Sequence, residues 1–124
     1  MARDVWVWFD NDPVATYGHP AVEVVQPLGL KHDMPSKEAV WKEVHEYCSG
    51  MGWTIMEGWG KNLLISLGSY FFKYTERHER YIEVHVGEQA VDIITREMDD
   101  ITNAIAQGLG KRIARRFRGR YEDT

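Results

Sequence analysis

The spacing of apolar and polar positions changes several times along the 124 residues, and each change marks an element. Residues 5–9 read Val-Trp-Val-Trp-Phe, which puts Val5, Val7 and Phe9 on one face of a strand and Trp6 and Trp8 on the other. A strand that is apolar on both sides is expected to be central, or covered on both faces. Residues 21–26 form a second strand-like run, joined to the first by a turn-rich stretch. Pro13, Pro20, Pro27 and Pro35 all fall in the first 35 residues and exclude a long helix there, because proline lacks the backbone donor and restricts its predecessor.

Residues 36–50 then take up helical spacing. Ser36 follows Pro35 as an N-cap and Gly50 is a stop signal. Val40, Val44, Tyr47, Cys48 and Met51 form the apolar side, with Trp41 on its flank and Glu38, Lys42, Glu43 and Glu46 opposite. From 53 to 86 the period is two. Strands are expected at 53–57 and 63–67 around a glycine-bearing loop at 58–62, and at 70–75 and 80–86 around a charged turn, with a turn or bulge at Gly68-Ser69. In the last strand Ile82, Val84 and Val86 alternate with Tyr81, Glu83 and His85, the pattern of a sheet with one wet face.

Beyond Glu88 the spacing reads as helical again, through Val91, Ile94, Met98, Ile101 and Ile105. Gly108 and Gly110 interrupt this stripe, which resumes out of phase at Ile113, Ala114 and Phe117. An unbroken helix over 88–117 would span about 45 Å, against a body roughly 35 Å across. The helix is therefore expected to break at the glycines or to overhang. The order β-β-α-β-β-β-β-α predicts an α+β fold: a mainly antiparallel sheet of five to six strands with two helices against one face, the longer one C-terminal.

Composition fits one domain of this size, with a 44% hydrophobic content and burial of roughly two-thirds of the unfolded surface. The single Cys48 excludes an internal disulfide and a multi-cysteine zinc site. No apolar run reaches the ~18 residues of a membrane span and the N-terminus has no signal-peptide pattern, so the expected location is cytoplasmic. The net charge of −4 hides a polarity: residues 1–110 carry nine basic and seventeen acidic side chains, whereas Lys111, Arg112, Arg115, Arg116, Arg118 and Arg120 are packed into the next ten positions. The chain accordingly divides into an α+β domain at 1–110 and a basic amphipathic C-terminal tail at 111–124.

Three chemistries follow. The leading one is a small non-enzymatic protein that binds another protein, blocking or scaffolding it as viral and mobile-element proteins do, and that self-associates head to tail through its opposite charges. Its anchors are Trp59 in the glycine-flanked loop, Ile113 and Phe117 on the tail, and Trp6 and Trp8, whose ordinary alternative is burial beneath the C-terminal helix. The second is nucleic-acid association, or another acidic partner, through the six cations of the tail. Its competing explanation is a solvated helix end, or contact with the acidic body. The third starts from Asp10-Asn11-Asp12, which follows the strand at 5–9 and resembles the first motif of the haloacid-dehalogenase-like phosphatases. That resemblance implies Mg²⁺-dependent phosphoryl transfer by Asp10 and Asp12 on parallel βα units, a fold at odds with hairpins at 53–86. His19, His32, His45, His78 and His85 lack metal-ligand spacing; Glu83, His85 and Tyr81 share a strand face, and Cys48 reads as a small buried hydrophobe. No cofactor is expected.

Overall fold

The alternation of valine and tryptophan near the N-terminus builds a central strand. A computed structural model of the chain describes residues 3–9, 23–24, 34–58, 62–72, 76–95 and 100–123. Among these residues, seven strands, β1 (Arg3–Trp8), β2 (Glu23–Val24), β3 (Thr54–Glu57), β4 (Leu63–Phe72), β5 (Glu76–Val86), β6 (Ala90–Thr95) and β7 (Arg120–Asp123), form one sheet in the order β2-β7-β1-β6-β5-β4-β3. Every neighbouring pair is antiparallel. The parallel βα arrangement implied by the phosphatase resemblance is not what forms. Two helices, α1 (Lys37–Cys48) and α2 (Asp100–Phe117), complete the α+β fold.

Register fixes which side chains share a face. Val5, Val7, Val91, Ile93, Val84, Ile82, Leu63 and Ile65 meet across the strands on one side and are fully or almost fully buried. Val40, Val44 and Cys48 of α1 and Ala106, Leu109, Ile113 and Ala114 of α2 complete that core. Ser36 caps α1 by accepting the Ala39 N–H at 3.1 Å, and Glu38 lies in its first turn, favourable to the helix dipole. Burial raises the Cys48 thiol to about 11, so it behaves as the small hydrophobe expected.

Two expectations are corrected. Residues 90–95 are a strand, not the first turns of a helix. Val91, Ile93 and Thr95 are buried with a period of two, while Ile94 faces the other side and matches a helical stripe by coincidence. The β5–β6 hairpin is closed by the Gly87 N–H donating to the Ala90 carbonyl at 2.9 Å. Of the turn or bulge expected at Gly68-Ser69 the bulge is what forms: residues 63–72 are one strand, whose register against β5 shifts between Ser66 and Ser69 at Gly68, with φ of 100°.

The second correction concerns α2, which runs unbroken through both glycines. A methyl group at Gly110 would lie 2.5 Å from Val5 Cγ1 and 3.0 Å from the Tyr121 ring. The glycine therefore lets the helix approach β1 and β7 closely. Residues 111–117 are the second half of α2, and β7 is hydrogen-bonded between β1 and β2.

The turn into β7 is a Schellman-type cap, with the Gly119 N–H donating to the Ala114 carbonyl at 2.9 Å and Arg118 in the left-handed region at φ of 60°. Glycine occupies that region without the Cβ penalty. Arg118→Gly is expected to stabilise the protein by about 0.5–1 kcal/mol, read as a higher urea midpoint at unchanged slope.

Candidate binding site

Among the described residues, both helices pack on one side of the sheet, and the other side, called the open face below, carries the polar and aromatic chemistry. One row across that open face runs Glu122, Trp6, Asp92, His85, placed side by side by the pairings β7–β1, β1–β6 and β6–β5. The row on one side of it holds Arg120, Trp8 and Ala90; the row on the other holds Asp4, Ile94 and Glu83. The two indoles stack on each other, 5.1 Å between ring centroids and 16° between planes, and both are half-buried. The Trp8 indole N–H donates to Glu122 Oε2 at 2.7 Å, which fixes the tilt of the pair. Burial of Trp6 and Trp8 beneath the C-terminal helix, the ordinary expectation for them, is thus corrected: α2 lies on the opposite face.

A pocket of about 330 Å³ opens beside the stack, lined by Trp6, Trp8, His85, Glu88, Gln89 and Asp92 among others. The Phe9 N–H donates to the Gln89 carbonyl at 2.7 Å and holds the β5–β6 hairpin tip against the end of β1, so the tip forms a wall of the pocket. Asp92 is the unusual group. Burial, then the charge of Asp4, a hydrogen bond with Asp4 and the charge of Glu83 push its carboxyl up to about 7. Its Oδ1 is covered by its neighbours and accepts no hydrogen bond. His85 Nε2 lies 3.3 Å from Glu83 Oε2. Among the described residues, the carboxyl groups of Asp4, Glu83, Glu88, Asp92 and Glu122 stand around the indoles, with the guanidinium of Arg120, which is only 4% exposed.

The six cations of 111–120 divide between α2, the turn that follows it and β7. Arg112 is engaged between the helices, its Nε donating to Glu43 Oε1 at 2.7 Å with Glu46 3.6 Å from its other end. The hydrogen bond to Glu43 holds the guanidinium above its ordinary pKa. Arg116 lies 3.8 Å from the same buried Glu43 carboxylate. Arg120 belongs to β7 on the open face, and the Lys111 ammonium sits 5.4 Å from the Tyr121 ring. Arg115 and Arg118 are exposed. Of the expected apolar anchors, Ile113 is fully buried in the core and Phe117 packs against its edge, so the apolar side of this segment serves the fold.

Trp59, Asp10 and Asp12 lie outside the described residues. Among the described residues, no three His, Cys, Asp or Glu side chains are grouped as a metal site, and no helix is long and apolar enough to cross a membrane. Sequence reasoning singled out Trp6, Trp8, Glu83 and His85, but missed Asp92 and Glu122. For Asp92 the signal was the alternation Val91-Asp92-Ile93, legible only once those residues are read as a strand; for Glu122 no local signal existed. No family model matches the chain, and neither curated proteins nor solved structures return a match.

Proposed function

We propose that the protein is a non-enzymatic interaction protein that docks another protein on the open face of its sheet, at Trp6 and Trp8. The observation that carries this reading is the stacked indole pair standing on the face that neither helix covers, beside a pocket. Large aromatic side chains in such positions supply contact area at little cost in side-chain entropy and dominate binding energy where interfaces have been dissected. The anchors differ from those suggested by charge segregation alone: Ile113 is spent on the core, and Arg112 ties α2 to α1.

A photo-crosslinking side chain at Glu88, exposed at the pocket rim, and another at Lys42, exposed on α1, test the surface in extracts of the source cell. The reading expects a discrete adduct from position 88 that Trp8→Ala removes and that position 42 does not give. Equal adducts from both positions, or an adduct indifferent to Trp8→Ala in a chain that circular dichroism shows to be folded, would contradict it.

A further inference from the structure

The solvent side of α2 changes character along its length. Ile101 and Ala104 are exposed in its first half, Lys111 and Arg115 in its second, and Arg118 is exposed in the cap that follows. Lys111 and Arg115 are four positions apart and share one helix face. With Arg118 they place three exposed cations within about 10 Å along the axis.

The neighbouring carboxylates are engaged elsewhere. Glu43 and Glu46 of α1 are met by Arg112 and Arg116, and Asp123 of β7 accepts from the Gln107 amide at 2.6 Å. Among the described residues Arg115 and Arg118 meet no carboxylate, and Lys111 meets only the Tyr121 ring. A solvated helix surface interleaves charges of opposite sign, yet from Ile101 to Arg120 the chain has no aspartate or glutamate. Complementing the helix dipole accounts for cations in the last turn. It does not account for Lys111, which stands more than a turn before the helix ends.

We propose that the cationic end of α2 binds the phosphate backbone of duplex DNA. Protein interfaces draw their energy from buried apolar anchors, whereas Ile113 and Phe117 of this segment pack in and against the core. Ile101 lies about 15 Å from Lys111 along the axis. A polyanion needs no such anchor, because each phosphate neutralised releases condensed counterions. Guanidinium forks suit phosphate oxygens, and a lysine adds a point charge. These three positions include no aromatic ring on which unpaired bases would stack and no neutral polar side chain to address a 2′-hydroxyl, which favours duplex DNA over single strands and RNA.

The net charge of −4 does not oppose this contact. Among the described residues, the carboxylates around the indoles stand on the far side of the sheet from α2. That separation exceeds a helix diameter of about 10 Å, and the Debye length at physiological salt is about 8 Å, so most of their repulsion is screened. The surface goes beyond the docking role proposed for the open face: a protein partner and DNA would occupy opposite sides of the sheet.

The test is fluorescence anisotropy of a labelled DNA duplex of mixed sequence, titrated with the full chain from 50 to 200 mM salt. Three phosphate contacts predict a slope of about −2.7 in log affinity against log salt, which is about a fortyfold loss over that range. Lys111→Gln, Arg115→Gln and Arg118→Gln should each reduce the slope by about one unit, and the triple variant should bring it close to zero. Circular dichroism and melting temperature establish that these variants are folded. Lys37→Gln, on α1, and Trp8→Ala, on the open face, should leave the slope unchanged. No binding by the parent at 50 mM salt, or a folded triple variant that binds as the parent does, overturns the proposal. So does an equal loss in Lys37→Gln, which would mean that overall charge acts rather than this surface. Loss of binding in Trp8→Ala would move the DNA to the open face and overturn it too. Polyglutamate that displaces the duplex as well as unlabelled DNA does would assign the surface to an acidic protein. Tighter binding of an RNA duplex or of single-stranded DNA would contradict the choice of duplex DNA. The position-88 adduct is independent of all these outcomes, so failure here leaves the docking face standing.

Discussion

Replacing Gly110 by alanine is expected to destabilise the protein by about 2 kcal/mol, even though alanine is the better helix former by about 1 kcal/mol. The added methyl group would meet Val5 Cγ1 at 2.5 Å and the Tyr121 ring at 3.0 Å, and both residues are held in neighbouring strands under α2. Val5 is 1% exposed and Tyr121 7%, so neither side chain has room to withdraw without lifting the helix from the sheet. Gly108→Ala is the internal comparison. There the methyl group meets the Tyr47 hydroxyl at 2.5 Å, the far end of a half-buried side chain that can swing aside at the loss of its 3.0 Å hydrogen bond to the Ile105 carbonyl. The helix propensity gain offsets that loss, and the net change is expected within about 0.5 kcal/mol of zero. Urea denaturation of the two variants reads the difference. Equal effects at the two positions would mean that α2 does not sit on β1 and β7 at the described distance.

Asp92→Asn is expected to act in the opposite direction, stabilising the protein by about 1–2 kcal/mol at pH 8, a figure discounted for a side chain that remains half-exposed. The sign follows from proton binding. The carboxyl of Asp92 stands at about 7 in the folded chain, above the 3.8 of an unperturbed aspartate. Between these values the folded state holds a proton that the unfolded state has released, so stability falls as pH rises from about 4 to 7. Above 7 the folded chain carries the ionised group against Asp4 and Glu83, and the loss is complete. Asparagine removes the charge and can donate its amide to the Asp4 carboxylate. The gain should shrink toward zero near pH 4, where the native carboxyl is already neutral. Melting temperatures across this range check both the sign and the window; a variant no more stable than the parent at pH 8 would contradict the placement of Asp92 among these carboxylates.

These two positions also show what the amino-acid pattern does and does not reveal. The first helix was legible almost residue by residue, because Ser36, Glu38 and the stripe Val40, Val44, Cys48 are local signals that tertiary packing reinforces. The hairpin strands of 53–86 were legible from alternation. The segment 90–95 was not, since Val91, Ile94 and the apolar residues after them satisfy a helical spacing as well as a strand spacing, and only pairing with β1 and β5 decides between them. Gly108 and Gly110 read as breakers because local propensity ignores the neighbour that a missing Cβ admits. The strand at Arg120–Asp123 has one apolar residue, Tyr121, so nothing local marks it; it forms because β1 and β2 offer it backbone partners.

The site followed the same division. Trp6 and Trp8 were visible as a platform, but which face of the sheet they occupy depends on where the helices pack, a long-range property. Once β6 and β7 are strands, Asp92 and Glu122 fall beside Trp6 without further assumption. The basic cluster illustrates the converse. Its charges are contiguous in sequence, yet the fold sends Arg112 to Glu43, brings Arg116 near the same carboxylate and draws Arg120 into the sheet.

The docking reading depends on the stacked indoles of Trp6 and Trp8 standing on the side of the sheet away from α2. The direct measurement is the yield of the adduct from a photo-crosslinking side chain at position 88, compared between the parent chain and Trp8→Ala, both shown by circular dichroism to be folded. The reading predicts an adduct in the parent that Trp8→Ala removes. Equal adducts in the two chains, or none in the parent, would contradict it.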